Sequence, residues 1–460
     1  MHSPQNQPDF FAEISQDLSD WRQWLGRAVV LAYAVAAGLA VVGFTRLSEK
    51  ALEGFAAVVA WQPYAPLLWT PALTAAIVWF TRRFAPGAAG SGIPQVMAAS
   101  STRVPARQRS LFVSLPLSFF KAVLTSLGLL AGLATGREGP SVQIAAGVMQ
   151  HARRWLPARS PINHQGLLVA GGAAGIAAAF NAPLAGVMFA IEEMTRKIEH
   201  RSSGLIIAAI VLAGLMAVSA FGNNSYFGVI HVPHIGRDYL LPSLSVMVLC
   251  GLVGGLFARL LHQSIVGGTD RISTWRRKHP VAFAGLCGLG AAAVGLASHG
   301  AAFGSGYDYT RGLLEGHVDI PLLYVTLRFV ATWLAVWSGV PGGIFAPSLA
   351  IGAGLGADLA VLTSLHDGTA AAPLIALGMA AFLAAVTQAP LTAFIIVMEM
   401  VDGHAMVLSL MAASLGASLI SRWLSVPLYP ALAQAQLQRL PQPGSSPDAR
   451  AERDSILPSP

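Results

Sequence analysis

GREGPSVQ, residues 136–143, lies inside uncharged sequence: AVLTSLGLLAGLAT (122–135) runs into it and IAAGVMQ (144–150) runs out. An arginine, a glutamate, two glycines and a proline stand together where every neighbour is apolar or small. Proline suits the first turn of a helix and glycine suits an open loop, so the stretch reads as a loop that opens a helix. Backbone that is not helical is tolerated at membrane depth only where protein encloses it or water reaches it. The reading of these eight residues therefore depends on whether the surroundings are a membrane.

Composition answers that. The chain has 460 residues, 54% hydrophobic and only 11% charged, with a mean hydropathy of +0.59. A soluble domain carries roughly 25% charge. Residues 160–191, 202–236 and 329–357 each lack Asp, Glu, Lys and Arg, and each exceeds the roughly 18 residues that mark a span. The expectation is an all-α polytopic membrane protein with about ten or more hydrophobic segments. The apolar runs are continuous and too long for alternating barrel strands. Prolines 94, 140, 183, 341, 347 and 390 interrupt them, mostly beside glycine, which predicts broken and re-entrant helices.

The net charge of +7 and pI of 9.7 fit basic cytoplasmic loops between spans better than a nucleic-acid surface, because no aromatic-interleaved basic module exists. No nucleic-acid partner is expected. Cys250 and Cys287 read as buried thiols. HVPH (231–234) has a spacing that could touch a metal, but it follows a Gly/Asn-rich loop, and neither a metal nor a cofactor is expected. Lys121, in an apolar segment, either snorkels or pairs, or else lines an anion path. The ten tryptophans read as interface anchors and packing. There is no HExxH and no nucleophile with a plausibly placed base, so an enzyme is not expected. The first 24 residues are polar and lack a signal peptide's basic start; residues 436–460 read as a disordered tail.

The chain repeats itself. LLVAGGAAGIAAAFNAPLAG (167–186) matches LIALGMAAFLAAVTQAPLTA (374–393) at nine of twenty positions, at an offset of 207 residues. The same offset lays GREGPSVQI (136–144) on GIFAPSLAI (343–351). Arg153, Arg154 and Arg159 follow the first block, whereas Asp358 and Asp367 flank the equivalent stretch of the second. Arg196, Lys197 and Arg201 likewise have no basic counterparts near 403–408. Basic loops prefer one side, so the halves read as oppositely oriented: a first membrane repeat over 25–220 and a second over 221–435. GSGYDY (304–309) is the candidate counterpart of GSGIP (90–94).

A helix start exposes unpaired N–H groups and a partial positive charge. Several such starts meeting at mid-membrane would hold an anion without a lysine that binds it too tightly to release. GSGIP adds a hydroxyl, Ser91, to the design.

GSGIP at 90, GREGP at 136 and GIFAP at 343, in that order, resemble the three signature loops of the CLC family of chloride channels and proton/chloride exchangers. FNAPLAGVMFAIEEM (180–194), QAPLTAFIIVMEM (388–400) and PLYP with Tyr429 are also similar to that family, and the likeness spans roughly residues 25–435. The resemblance implies a CLC-like fold and a homodimer in the cell (inner) membrane, with one anion pathway per subunit and membrane lipid around it. It implies that the hydroxyls of Ser91 and Tyr429 and the amides of Ile344 and Phe345 hold chloride. It places Gly90, Gly92, Pro94, Gly136, Arg137, Gly139, Pro140, Gly343 and Pro347 in the loops lining the path. Glu138 becomes the gating glutamate and Glu193 the internal proton-transfer residue.

Glu138 suits its part on physical grounds as well. A carboxylate is itself an anion, and burial opposes its charge while helix starts favour it. The bland reading pairs it structurally with Arg137. Arg137 either draws anions to the mouth or merely pairs with a carbonyl or carboxylate. Glu192 maps onto Glu399 and reads as structural in both halves, whereas Glu193 maps onto Met400 and has no twin. Family exchangers often carry acids just after GSGIP, where this chain has QVMAASS, with Gln95 and Met97. Ser91 is the chloride-type residue at its position. The expected function is chloride/proton antiport; the alternative is a passive, voltage- or pH-gated chloride channel of the same fold.

Overall fold

The computed structural model describes residues 21–157, 162–194, 200–222, 226–227, 237–316, 323–363, 365 and 370–439. The polar N-terminus to residue 20, Arg159, Arg196, Lys197, HVPH, Asp367 and the tail from 440 lie outside the described residues, as does the side chain of Arg201. Among the described residues the chain is helical, with no strand beyond a single antiparallel bridge between Gly136 and Gly343.

The first half runs α1 (Trp21–Trp61), α2 (Pro66–Phe84), α3 (Ile93–Ser100), α4 (Leu115–Leu130), α5 (Glu138–His151), α6 (His164–Phe180), α7 (Pro183–Phe189) and α8 (His200–Phe221). The second runs α9 (Leu240–Val266), α10 (Arg271–Lys278), α11 (Pro280–Ala297), α12 (Tyr307–Leu314), α13 (Tyr324–Ser338), α14 (Phe345–Leu362), α15 (Ala372–Thr387), α16 (Pro390–Met400) and α17 (Val407–Ser421), closed by α18 (Leu428–Gln438). From α4 to α8 and from α13 to α17 the elements recur at the offset already seen in the sequence. Among the described residues seven stretches are long and apolar enough to cross a membrane, and three shorter apolar helices lie among them. The shortness has a cause, because proline starts α3, α7 and α16 partway through apolar runs.

Helices this rich in alanine and glycine pack by close backbone approach rather than by large side chains. A Cβ on Gly171 would come within 2.7 Å of the Ala146 backbone, fixing α6 against α5. Its counterpart Gly378 meets Gly352 in the same way, fixing α15 against α14. α5, α6, α14 and α15 are buried along almost their whole length. The innermost layer is thus made of the two helix pairs that carry the repeat.

The repeats also hold each other. The Glu192 carboxylate accepts from the amides of Leu391 (3.1 Å) and Thr392 (2.6 Å) at the start of α16. The Glu399 carboxylate accepts from Leu184 (3.2 Å) and Ala185 (2.7 Å) at the start of α7. Each glutamate therefore satisfies the orphan donors of the other repeat's helix, and all partners are related by 207 positions. This reciprocity is what an inverted repeat with a pseudo-two-fold axis produces. It also settles Glu192 as a structural residue serving both halves.

Candidate functional site

Three sequence-distant loops meet at the centre. Gly136 N donates to Gly343 O at 2.8 Å and Gly343 N donates to Gly136 O at 2.7 Å. Gly342 N donates to Gly90 O at 3.1 Å, so GSGIP, GREGP and GIFAP are bonded to one another through the main chain. The Thr135 hydroxyl adds a bond to Gly343 O at 3.1 Å. Gly92 has φ +111°, a conformation that side chains avoid, and a Cβ there would also strike Gly139 O at 2.7 Å. Gly139 in turn has no room for a side chain against Ser91. The glycines are needed because backbone lies on backbone.

Two buried cations fasten the glycine loops. Lys121 Nζ donates to Ala88 O (2.8 Å) and Gly90 O (2.5 Å), where GSGIP begins. Arg328, the counterpart of Lys121 at the offset of 207, donates to Phe303 O (3.0 Å) and Gly304 O (2.8 Å), where GSGYDY begins. Both side chains are fully buried. Lys121 therefore pairs with carbonyls rather than snorkelling, and GSGYDY is the counterpart of GSGIP in its fastening as well as its sequence.

Around the joined loops the predicted side chains come together. Tyr429, in the first turn of α18, is fully buried, and its ring stacks on Phe345 with centroids 5.9 Å apart. Its hydroxyl faces Ser91 and lies within electrostatic reach of both Glu193 and Glu138. The hydroxyls of Ser91 and Tyr429 are buried and neither makes a hydrogen bond of normal geometry. Ile344 caps α14 and Phe345 begins it, so their amides are among the first N–H groups, which have no carbonyl within the helix. Pro140 and Pro347 sit in the first turns of α5 and α14, and Pro94 in that of α3.

The Glu138 carboxylate occupies a helix start. One oxygen accepts from the Ala346 amide at 3.4 Å, at the beginning of α14, and the other has no partner. Glu138 is completely buried, and a Cβ on Gly136 would overlap its carboxylate. Arg137 points elsewhere: it pairs with Glu49 at 2.9 Å and donates to the Tyr226 hydroxyl at 3.0 Å. The bland reading of Glu138 as Arg137's structural partner is therefore not what the geometry has. Glu193 lies half-buried in a π-helical turn, Ala190–Met194, with one oxygen shut off from solvent and unbonded. Gln95 does not stand in for a proton partner there. Its carboxamide turns back to its own loop, accepting from Gly92 N at 3.0 Å and donating to Ala89 O.

A cavity of about 430 Å³ reaches this centre. Ser91, Ile344 and Tyr429 line its inner end, and Arg82, Arg276 and Arg439 line its wall, with no carboxylate among the lining residues. Arg276 donates to Ser264 O and Arg439 to Val266 O (3.2 Å), both in the last turn of α9. Sequence reading missed these three arginines and also Glu49. Nothing along the chain marks residues of α2, of α10 and of the end just past α18 as neighbours, or Glu49 as the partner of a residue 88 positions away.

The arrangement gathers helix starts, two free hydroxyls, a displaceable carboxylate and a basic approach, which suits a small dehydrated anion. The described residues contain no cluster of metal-ligating side chains. Comparison with known proteins agrees with the geometry. A family model described as voltage gated chloride channel matches residues 73–422. The H(+)/Cl(-) exchange transporter ClcA of Klebsiella pneumoniae (strain 342) is 34% identical over 391 residues, 80% of this chain and 78% of that one. ClcA of Yersinia pestis is 33% identical over 433 residues, 89% and 87% of the two chains. A slow cyanobacterial Cl-/H+ antiporter of known structure superposes with a TM-score of 0.74 at 26% identity, over 90% of this chain and 98% of that one. A CLC-type fluoride/proton antiporter shares the fold at a TM-score of 0.71 and 22% identity, over 93% and 99%. The chain belongs to the voltage-gated chloride channel family, the CLC proteins.

Proposed function

We propose that the protein is a secondary active antiporter that exchanges chloride for protons across a bacterial cell membrane. The observation that carries this is the pair of buried, unbonded hydroxyls, Ser91 and Tyr429, set beside a helix start that the Glu138 carboxylate already caps. Chloride sits between those hydroxyls and the amides of Ile344 and Phe345. An anion leaving water needs donors already in place, and helix amides supply them without a full charge. Arg82, Arg276 and Arg439 raise the local anion concentration along the cavity.

Glu138 is the gate. As a carboxylate it competes for the amides at the start of α14. On protonation it loses its charge and most of its strength as an acceptor, leaves those amides, and a chloride takes its place. Each exchange of carboxylate for chloride thus moves a proton, which links the two fluxes. Glu193, within electrostatic reach of the same Tyr429 hydroxyl, takes protons between Glu138 and the side of the membrane opposite the Arg137–Glu49 pair. The curated relatives named as H(+)/Cl(-) exchangers support this reading over a channel.

The protein works as a homodimer. Leu184 on α7, Ile191 just after it, Ile207, Val211 and Leu215 on α8, and Leu408, Leu415 and Leu419 on α17 are exposed and apolar. They flank the α7–α16 pair that Glu192 and Glu399 join. This face offers shape and surface for a second copy, each subunit keeping its own path.

The deciding experiment uses purified protein in liposomes under a chloride gradient with external pH recorded. Protons driven uphill by chloride support antiport. Chloride flux without proton movement means a passive channel.

A further inference from the structure

A second cavity, apart from the transport site, lies at the basic end of α9. It measures about 350 Å³ and is lined by Arg259, His262 and Gln263 of α9 and by the turn after α17 that holds Arg422, Trp423 and Ser425. No carboxylate lines it, and neither guanidinium has a hydrogen-bond or ion-pair partner among the described residues. Arginines in a protein rich in backbone carbonyls usually find one, as Arg276 and Arg439 do on the same helix. Here both are left open toward a shared hollow.

The walls are fixed before any ligand arrives. Gly255 of α9 lies so close to α17 that a Cβ would come within 3.1 Å of the Ser421 backbone. Gln388 Nε2 donates to Ser425 O at 2.9 Å, holding the Arg422–Ser425 turn. Trp423 is 83% exposed, as befits an indole at the membrane–water boundary. Leading up to Arg259, Leu244, Val248, Leu252 and Leu256 are exposed at four-residue intervals, a spacing that puts them on one helix face. An apolar stripe thus ends in two free arginines and a tryptophan.

We propose that this cavity binds the phosphate headgroup of an anionic phospholipid, with an acyl chain lying along the α9 stripe. The two guanidiniums match phosphate oxygens by charge and by their forked donor geometry. Basic pockets between helices recognise such headgroups. The stripe distinguishes lipid from free phosphate, because only a lipid gains from it.

The test is native mass spectrometry of the full chain in detergent, titrated with phosphatidylglycerol or with phosphatidylcholine of the same chains. Phosphatidylglycerol is retained roughly tenfold or more in preference, since each arginine near a surface favours anionic lipid. The Arg259→Gln/Arg422→Gln variant loses that preference, whereas Arg271→Gln, outside the cavity, keeps it. Gel filtration and chloride flux of the double variant stay as in the parent. Equal retention of both lipids, or a preference untouched by the double substitution, overturns the proposal. Displacement of the lipid by millimolar inorganic phosphate overturns it as well, since the cavity would then be reading phosphate alone.

Discussion

Gly136 and Gly343, 207 residues apart, exchange both of their backbone hydrogen bonds, at 2.8 and 2.7 Å. They occupy the same position in the two repeats, so the residue pair lies on the pseudo-two-fold axis. On one side of it the Glu138 carboxylate reaches the Ala346 amide. The equivalent of Glu138 in the second repeat is Phe345, whose ring stacks on Tyr429 instead. The symmetric frame thus carries an asymmetric site, with the proposed gate from one half and the proposed seat for the anion largely from the other.

Glu138→Gln keeps the shape of the side chain and removes its exchangeable proton. In the liposome assay chloride flux continues while proton movement driven by chloride falls to the background. Glu193→Gln does the same. Proton pumping that persists in either variant takes that residue out of the mechanism.

Ser91→Ala and Tyr429→Phe each remove one buried donor from the proposed anion seat. A hydrogen bond to a charged group contributes about 1.5–3 kcal/mol. Each substitution therefore weakens chloride binding about tenfold or more, measured by isothermal titration calorimetry. Neither changes the thermal midpoint much, because neither hydroxyl makes a hydrogen bond of normal geometry to the protein.

Lys121→Met leaves the carbonyls of Ala88 and Gly90 with fewer donors, at a cost of about 1–3 kcal/mol. Its thermal midpoint drops by several degrees. Arg328→Met costs a similar amount, because Arg328 fastens the equivalent loop. If only one of the pair proved destabilising, the two loops would not be equivalent in their fastening.

Glu192→Ala and Glu399→Ala each lose a helix cap, at about 1 kcal/mol apiece. Both lower the thermal midpoint alike and both keep proton coupling. This outcome separates Glu192 from its neighbour Glu193. Loss of coupling in Glu192→Ala would assign the proton role to the wrong member of the pair.

Arg82→Gln combined with Arg439→Gln removes two of the three positive charges that line the cavity. The initial rate of chloride flux falls several-fold at low ionic strength. The deficit narrows when impermeant gluconate raises the ionic strength, since the screening length drops from about 30 Å at 0.01 M to 10 Å at 0.1 M. A deficit independent of salt would assign the arginines a structural role only.

Much of this could be read along the chain. The GREGP and GIFAP loops stand out because glycine, proline and charge interrupt apolar sequence, and the constant offset links them. The same offset distinguished Glu192 from Glu193, and it relates Lys121 to Arg328 as well. What was not legible depends on packing between elements with no shared register. Arg137 finds Glu49 from α1, and the cavity arginines come from three separate stretches of chain. Gln95 looked like an absent acid, yet its carboxamide closes a cap within its own loop, a bond set by the positive φ of Gly92.

The bridge between Gly136 and Gly343 uses main-chain atoms alone, so no trimming of a side chain can delete it; only added bulk, or a proline that lacks the N–H, can pry it open. Ser91 and Tyr429, by contrast, decorate the centre without supporting it. Evolution can therefore rewrite which ion is admitted, one side chain at a time, while the vault that encloses the ion stays standing.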